Sequence, residues 1–270
     1  MNSPAMNSPD LTPTVASGGW QQRVSHAFSR AADDYERLAA AQQDMGETLW
    51  ARLPRGAMQI LDLGCGPGSW SQRLADDYAP DARVIGLDIA PGMLEVAQRE
   101  RGDKVHWVCA DAGALPLPDA SLELVFSNLA LQWCPDLDAV MAELYRTLRP
   151  GGRALINTLG PETLCEVGFA WKRPGRHAAL LDFRSPEHYR KAACLAGFRR
   201  VAVEVSRPRF HYPDMTAVMA SIKGIGAQAS RPRGHLTRAD LVHASQRFEA
   251  LREPEGLPVT YHLLTLELER

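Results

Sequence analysis

The sequence predicts an α/β fold in which helices cover both faces of a doubly wound, mostly parallel sheet. Three observations predict it. Short aliphatic runs alternate with longer helical patterns through the middle of the chain, as consecutive strand–helix–strand units require. The first run leads into LDLGCGPGSW, residues 61–70, where three glycines stand between a strand and a helix. Twenty residues beyond Gly68, the second run ends on a carboxylate, Asp88.

The elements follow in order. Residues 25–52 carry one long helical pattern, closed by Leu53-Pro54-Arg55-Gly56. MQILDL (58–63), RVIGLD (83–88), KVHWV (104–108), LELVFS (122–127) and RALINTL (153–159) are short, aliphatic and β-branched, and read as strands. Helical segments are expected around 68–78, 91–100 and 136–149, and LRPGG (148–152) is read as a structural helix-to-strand turn. An arginine-rich, helix-prone stretch from about 160 to 198 leads to strands VAVEV (201–205) and VTYHLLTLEL (259–268), which would complete the sheet.

Composition narrows the function class. With 270 residues, 45% hydrophobic and 23% charged, the chain can bury one sizeable core. Its formal net charge of −2 carries no global signal for nucleic acid or membrane, and no apolar run approaches the roughly 20 residues of a spanning helix. Five scattered cysteines, without a CxxC pair or His-rich spacing, predict neither a metal site nor a disulfide framework. Residues 1–22 are expected to form a disordered tail, since MNSPAMNSPDLTPTVASGG lacks the basic start and apolar core of a signal peptide. A cytoplasmic location is the expectation.

The glycine loop carries the chemistry. Gly64, Gly66 and Gly68 sit where a strand turns into a helix, so bare backbone amides and the positive helix end can meet a ligand. A dinucleotide loop spaces its glycines GxGxxG, whereas GCGPG is GxGxG with Asp62 two positions before the first glycine. LDLGCGPG resembles the first motif of class I methyltransferases that use S-adenosylmethionine, and the resemblance extends over residues 58–158. It implies a Rossmann-like core in which the loop backbone, Cys65 included, and Asp62 face the methionine half of the cofactor. Asp88, at a strand end, suits a carboxylate accepting from two ribose hydroxyls, with Ile89 and Met93 beside it. In CADAGALPLPD the resemblance places Asp111 and Ala112 at the adenine. SNLALQW (127–133) sets Asn128, Leu129, Gln132 and Trp133 outside the carboxyl end of the sheet, facing cofactor or substrate.

The flanks narrow the substrate. FSRAADDYERLAAAQQDM places Phe28, Ala31, Tyr35, Leu38 and Gln42 on one helical face, and its YExxAxxQ pattern looks like the N-terminal lid helix of small-molecule and carboxyl methyltransferases. Phe28 and Tyr35 are therefore expected against the cofactor. With SNLALQWC, SIKGIGA (221–227), HLTRADL (235–241) and LPVTYHLLTLEL (257–268), the chain from about residue 23 resembles the malonyl-acyl-carrier-protein O-methyltransferases of biotin synthesis. The resemblance implies one domain over 23–270: a lid region (23–56), a cofactor core (57–159), a helical substrate and partner elaboration (160–258) and a final strand (259–270).

It also implies methyl transfer to a malonyl carboxylate, with S-adenosylhomocysteine as the other product. A carboxylate with a pKa near 4 is already an anion at neutral pH, so no general base is required. Residues that hold it should be cationic or hydroxylic, and Tyr35, Lys223, Tyr261 and His262 are the candidates. Arg199, Arg200, Arg207, Arg209, Lys223, Arg231, Arg233 and Arg238 face only Glu204 and Asp214 in the same stretch, a local surplus that suits a small acidic carrier protein. Rival readings are a complex I assembly-type arginine hydroxylase, another small-molecule carboxyl methyltransferase, and a non-catalytic cofactor-binding regulator.

Overall fold

The computed structural model describes residues 18–78, 80, 82–172, 180–224 and 238–270. The predicted tail lies outside these residues up to position 17, and the first helix, α1, spans Gly18–Ala31, so the folded region begins earlier than the boundary at 23.

The expected long N-terminal helix is three helices. A 3-10 turn at Ala32–Asp34 separates α1 from α2 (Tyr35–Leu38), and Ala39 separates α2 from α3 (Ala40–Trp50). Tertiary packing explains the breaks. Ala32 is buried with Phe28 and Tyr35 against Ala90, Met93 and Val96, whereas Leu49 packs in a different cluster with Ile60 and Phe126. One straight helix, rising 1.5 Å per residue, cannot serve both surfaces. Ion pairs Asp33–Arg99 and Glu36–Arg101 hold the bent segment down.

The core alternates as predicted: β1 (Gln59–Leu63), α4 (Ser69–Asp77), β2 (Arg83–Asp88), α5 (Pro91–Arg101), β3 (His106–Cys109), β4 (Leu122–Asn128), α6 (Leu137–Thr147) and β5 (Leu148–Leu159). Buried aliphatic strands with helices on both sides give the near-continuous apolar runs of a parallel sheet. Helix starts follow local chemistry: Asp136 accepts the Ala139 N–H at 2.9 Å, and Pro91 occupies the first turn of α5. LRPGG is part of β5 rather than a separate turn, because β4 and β5 pair from Leu122 to Leu148 through a register shift.

Beyond the core run α7 (Cys165–Trp171), α8 (Pro186–Ala196), β6 (Arg200–Ser206), β7 (Arg209–Tyr212), α9 (Met215–Gly224), α10 (Arg238–Glu249), β8 (Leu257–Thr260) and β9 (Leu263–Glu269). The seven-stranded sheet has the order β3-β2-β1-β4-β5-β9-β6, with β9 antiparallel to both neighbours. The predicted late strand 259–268 is thereby split. Its first part, β8, pairs with β7 in a separate two-stranded sheet. The break falls at Tyr261 and His262, whose N–H groups donate to Pro208 O and Thr163 Oγ1 instead of a sheet neighbour. Among the described residues no helix is long and apolar enough to cross a membrane.

Candidate functional site: a cofactor cleft at the strand ends

The chain runs outward from β1 to β3 and then returns to β4 on the other side of β1. That switch point leaves a crevice outside the carboxyl ends of β1 and β4, where open α/β sheets bind ligands. A cleft of about 760 Å³, its mouth included, occupies this position.

Its floor is the glycine loop. The N–H groups of Gly64 and Cys65 both donate to Leu87 O, at 2.7 and 3.1 Å, which ties the loop to the end of β2. Asp88 accepts the Gly66 N–H on Oδ2 at 2.9 Å and the Ala90 N–H on Oδ1 at 2.8 Å. Each oxygen keeps one lone pair for a further donor. Burial raises the Asp88 pKa, and the backbone N–H groups oppose that shift.

The residues present fit S-adenosylmethionine. A Cβ placed on Gly66 would meet nothing within 4 Å, and Gly66 lines the cleft, so the bare backbone there opens onto space that a ligand could fill. Asp88 keeps acceptor lone pairs that could receive ribose hydroxyls, and Asp111, Ala112, Cys134 and Pro135 also line the cleft. Ile89, Met93, Asn128 and Leu129 line the walls. Phe28, Tyr35 and Trp133 close it with rings, Phe28 meeting Trp133 edge-on at 5.2 Å between centroids.

Three expected loop contacts sit elsewhere. Asp62 is 2% exposed and does not line the cleft; it accepts from Ser71 Oγ at 2.6 Å and pins the start of α4 to β1. Burial pushes its carboxyl up to about 7, against the pull of the Ser71 bond. Cys65 is buried behind the loop, its thiol turned to Gly66 O. Gly68 begins α4 beneath the Trp107 ring, which a Cβ would approach to 2.5 Å.

Of the four proposed carboxylate holders, Tyr35 alone lines the cleft among the described side chains. Its hydroxyl is held protonated by burial and, second, by the charge of Asp88. Tyr261 is buried against Phe210, ring centroids 5.7 Å apart, and burial raises its pKa too. His262 is fixed by Pro161 O and Thr163. Neither reaches the cleft. The Lys223 side chain lies outside the described residues, although its helix, α9, packs against α2 and so against the element carrying Tyr35.

Among the described residues, arginines of the basic stretch lie at opposite ends of the sheet. Register pairs Arg200 with Glu269 and Glu269 with Arg153, at the end of the sheet away from the cleft. Arg207, just past the other end of β6, and Arg209, the first residue of β7, are paired with Glu162 and Glu253, each at 2.6 Å. Arg231 and Arg233 lie outside the described residues. One group of metal-competent side chains, His211, Glu253 and Glu255, has ligand atoms within 4.8 Å, but Glu253 is already held by Arg209 and His211.

The sequence reading missed Gln21 and Val24 on α1 and the Ala130–Leu131 and Cys134–Pro135 walls. The spacing Gln21, Val24, Phe28 is a helical face, which would have carried the lid two positions further back. Cys134 lines the cleft, and its thiol is pushed up to about 12, first by burial and then by Asp111, so it stays protonated at neutral pH.

Comparison with known proteins agrees with this geometry. Residues 61–156 match the family model described as "Methyltransferase domain". The malonyl-[acyl-carrier protein] O-methyltransferase of Dechloromonas aromatica is 37% identical over 264 residues, covering 95% of this chain and 97% of that one. The enzyme of that name from Serratia marcescens is 41% identical over 207 residues, covering 75% of this chain and 77% of that one. The biotin biosynthesis bifunctional protein BioHC of Cellvibrio japonicus is 34% identical across 96% of this chain, which spans about half (52%) of that longer protein. Among solved structures, phosphoethanolamine N-methyltransferase 2 of Haemonchus contortus shares the fold at a TM-score of 0.61 and 18% identity, over 96% of this chain and 61% of that one. The YcgJ protein of Bacillus subtilis does so at 0.58 and 18%, over 84% and 98%. The glycine loop, the carboxylates Asp88 at the end of β2 and Asp111 just after β3, and these relatives lead to one conclusion: the chain belongs to the malonyl-[acyl-carrier protein] O-methyltransferase family of S-adenosylmethionine-dependent methyltransferases.

Proposed function

We propose that the protein methylates the free carboxylate of a malonyl thioester carried on acyl carrier protein, the step that masks this charge for biotin synthesis. The observation that carries the reading is a cleft lined by Asp88, Asp111 and the Tyr35 hydroxyl and closed by the Phe28 and Trp133 rings, in a chain whose relatives of nearly equal length bear that enzyme's name. S-Adenosylmethionine supplies a methyl carbon activated by its sulfonium.

The protein's part is alignment and exclusion of water. Asp88 and the Gly66 amide fix one end of the cleft, Asp111 the other. Phe28, Tyr35 and Trp133 shield the space between them. Tyr35 Oη, kept protonated, is the donor placed to hold an incoming carboxylate. The acceptor oxygen is anionic at neutral pH and needs no proton removed.

The carrier is the proposed thioester partner, and its docking surface is proposed around residues 223–238, where the sequence carries Lys223, Arg231, Arg233 and Arg238 with no acidic residue between them. Mass spectrometry of malonyl carrier protein after incubation with enzyme and S-adenosylmethionine tests the activity. One added methyl, lost on mild ester hydrolysis, is expected. Cofactor binding with no methyl gained on any malonyl thioester would overturn it. The hydroxylase and regulator readings are not favoured by the relatives.

A further inference from the structure

The lid helix reaches into the base end of the cleft with a polar side chain that the glycine loop and strand-end motifs do not include. Gln21 lines the cleft beside Asp111, and its Nε2 donates to Asp111 Oδ2. Asp111 Oδ1 is taken by the Gly113 N–H at 2.9 Å. Gln21 Oε1 has no partner among the described residues, and Asp111 Oδ2 retains a second lone pair. The cleft therefore has two residues at one place with acceptor capacity to spare, the Gln21 carbonyl and the second lone pair of Asp111 Oδ2, on groups joined by a hydrogen bond. An exocyclic amine, with two N–H donors, fits that pair. A purine carrying an oxygen at the same position brings a third acceptor and is repelled.

We propose that Gln21, fastened to Asp111, is a base-reading residue of the cofactor site that selects an adenosyl over an inosyl ligand. The proposal rests on the assignment of Asp111 to the base. It also gives α1 a stake in ligand identity. The same helix donates from Trp20 Nε1 to Trp133 O and from Ser25 Oγ to Ile89 O, each at 2.9 Å, so it is seated on the loops after β2, β3 and β4 together. A base that satisfies Gln21 holds the helix closed, and one that repels Gln21 loosens it.

The test is calorimetric binding of S-adenosylhomocysteine and S-inosylhomocysteine to the wild type, Gln21→Leu and Asp111→Asn, with folding checked by circular dichroism. Gln21→Leu should weaken the adenosyl ligand about tenfold, the scale of one net hydrogen bond, and tighten the inosyl ligand severalfold, because the acceptor that repels its oxygen is gone. Equal losses on both ligands would make Gln21 a packing residue and overturn the proposal. Tighter adenosyl binding would make it a competitor for Asp111 and overturn it equally. Asp111→Asn replaces an acceptor with a donor and should move the preference toward the inosyl ligand. If it does so while Gln21→Leu changes nothing, the Gln21 proposal alone fails; if the Asn variant keeps the wild-type preference, the base assignment of Asp111 falls with it.

Discussion

Asp88 ties down the glycine loop from the wall of the cleft: its Oδ2 receives the Gly66 N–H at 2.9 Å, and the residue lines the cleft. Asp88→Ala removes the acceptors for a ribose and lets the glycine loop drift from β2. Charge-assisted hydrogen bonds contribute about 1.5 to 3 kcal/mol each, so S-adenosylhomocysteine should bind at least about a hundredfold more weakly by calorimetry. An unchanged dissociation constant in a folded variant would reject the ribose assignment.

Two glycines of one loop should fail in different ways. A Cβ on Gly64 would stand 2.2 Å from Ala130 Cβ, so Gly64→Ala presses on the packed wall and should cost about 2 to 3 kcal/mol of stability. Gly66 has open space before it. Gly66→Val should fold with only the roughly 1 to 2 kcal/mol cost of its left-handed backbone, yet bind no cofactor. Thermal melts and binding, measured together, separate the two. Normal affinity in Gly66→Val would mean that the loop is only a turn.

What could be read in advance was what short-range chemistry decides. The glycine spacing, Asp88 at its strand end and the alternation of strands and helices are set within a few residues, and they stand where expected. The breaks at Ala32–Asp34 and at Tyr261 were hidden because distant partners impose them: α5 for the first, Pro208 and Thr163 for the second. Asp62 has the residue type of a ligand contact, but Ser71, nine residues on, claims it. Gln21 falls within residues 1–22, which the sequence reads as a disordered tail, so its place beside Asp111 shows only once α1 is seated on the strand ends.

The buried Asp62 carboxyl should impose a pH dependence on stability. Its folded pKa is raised to about 7 from an unfolded value near 3.9. The protonated form therefore favours folding, and this contribution, complete below about pH 4, is lost as pH rises through about 7. Asp62→Asn keeps an acceptor for Ser71 and removes the charge. The variant should melt at a higher temperature than the wild type, with a gap that widens from pH 4 to pH 7 and then levels, worth at most about 4 kcal/mol. A gap independent of pH would show that Asp62 does not titrate there.

Charge reversal should map the carrier's approach. Arg199 and Arg200 lie at the end of β6 away from the cleft, so changing both to Glu should leave malonyl carrier turnover within about twofold, because distant exposed charges are screened by salt. Reversing Arg231 and Arg233 should slow association with the carrier and reduce its salt dependence, while malonyl-coenzyme A turnover falls less. Equal losses on both thioesters would place those arginines in the pocket or the folding of the chain rather than in docking.

The strand β9 lies between β5 and β6 although it follows both along the chain. A ribosome therefore releases β5 with its inner edge bare, and β6 cannot cover it in the native register, because the slot belongs to a strand not yet made. Unpaired edges invite pairing between neighbouring chains. The cofactor loops, all earlier than Leu159, can take shape while that slot is still open. Their ligand could thus reach a nascent protein whose sheet is unfinished, and the hazard of mispairing lasts until β9 arrives.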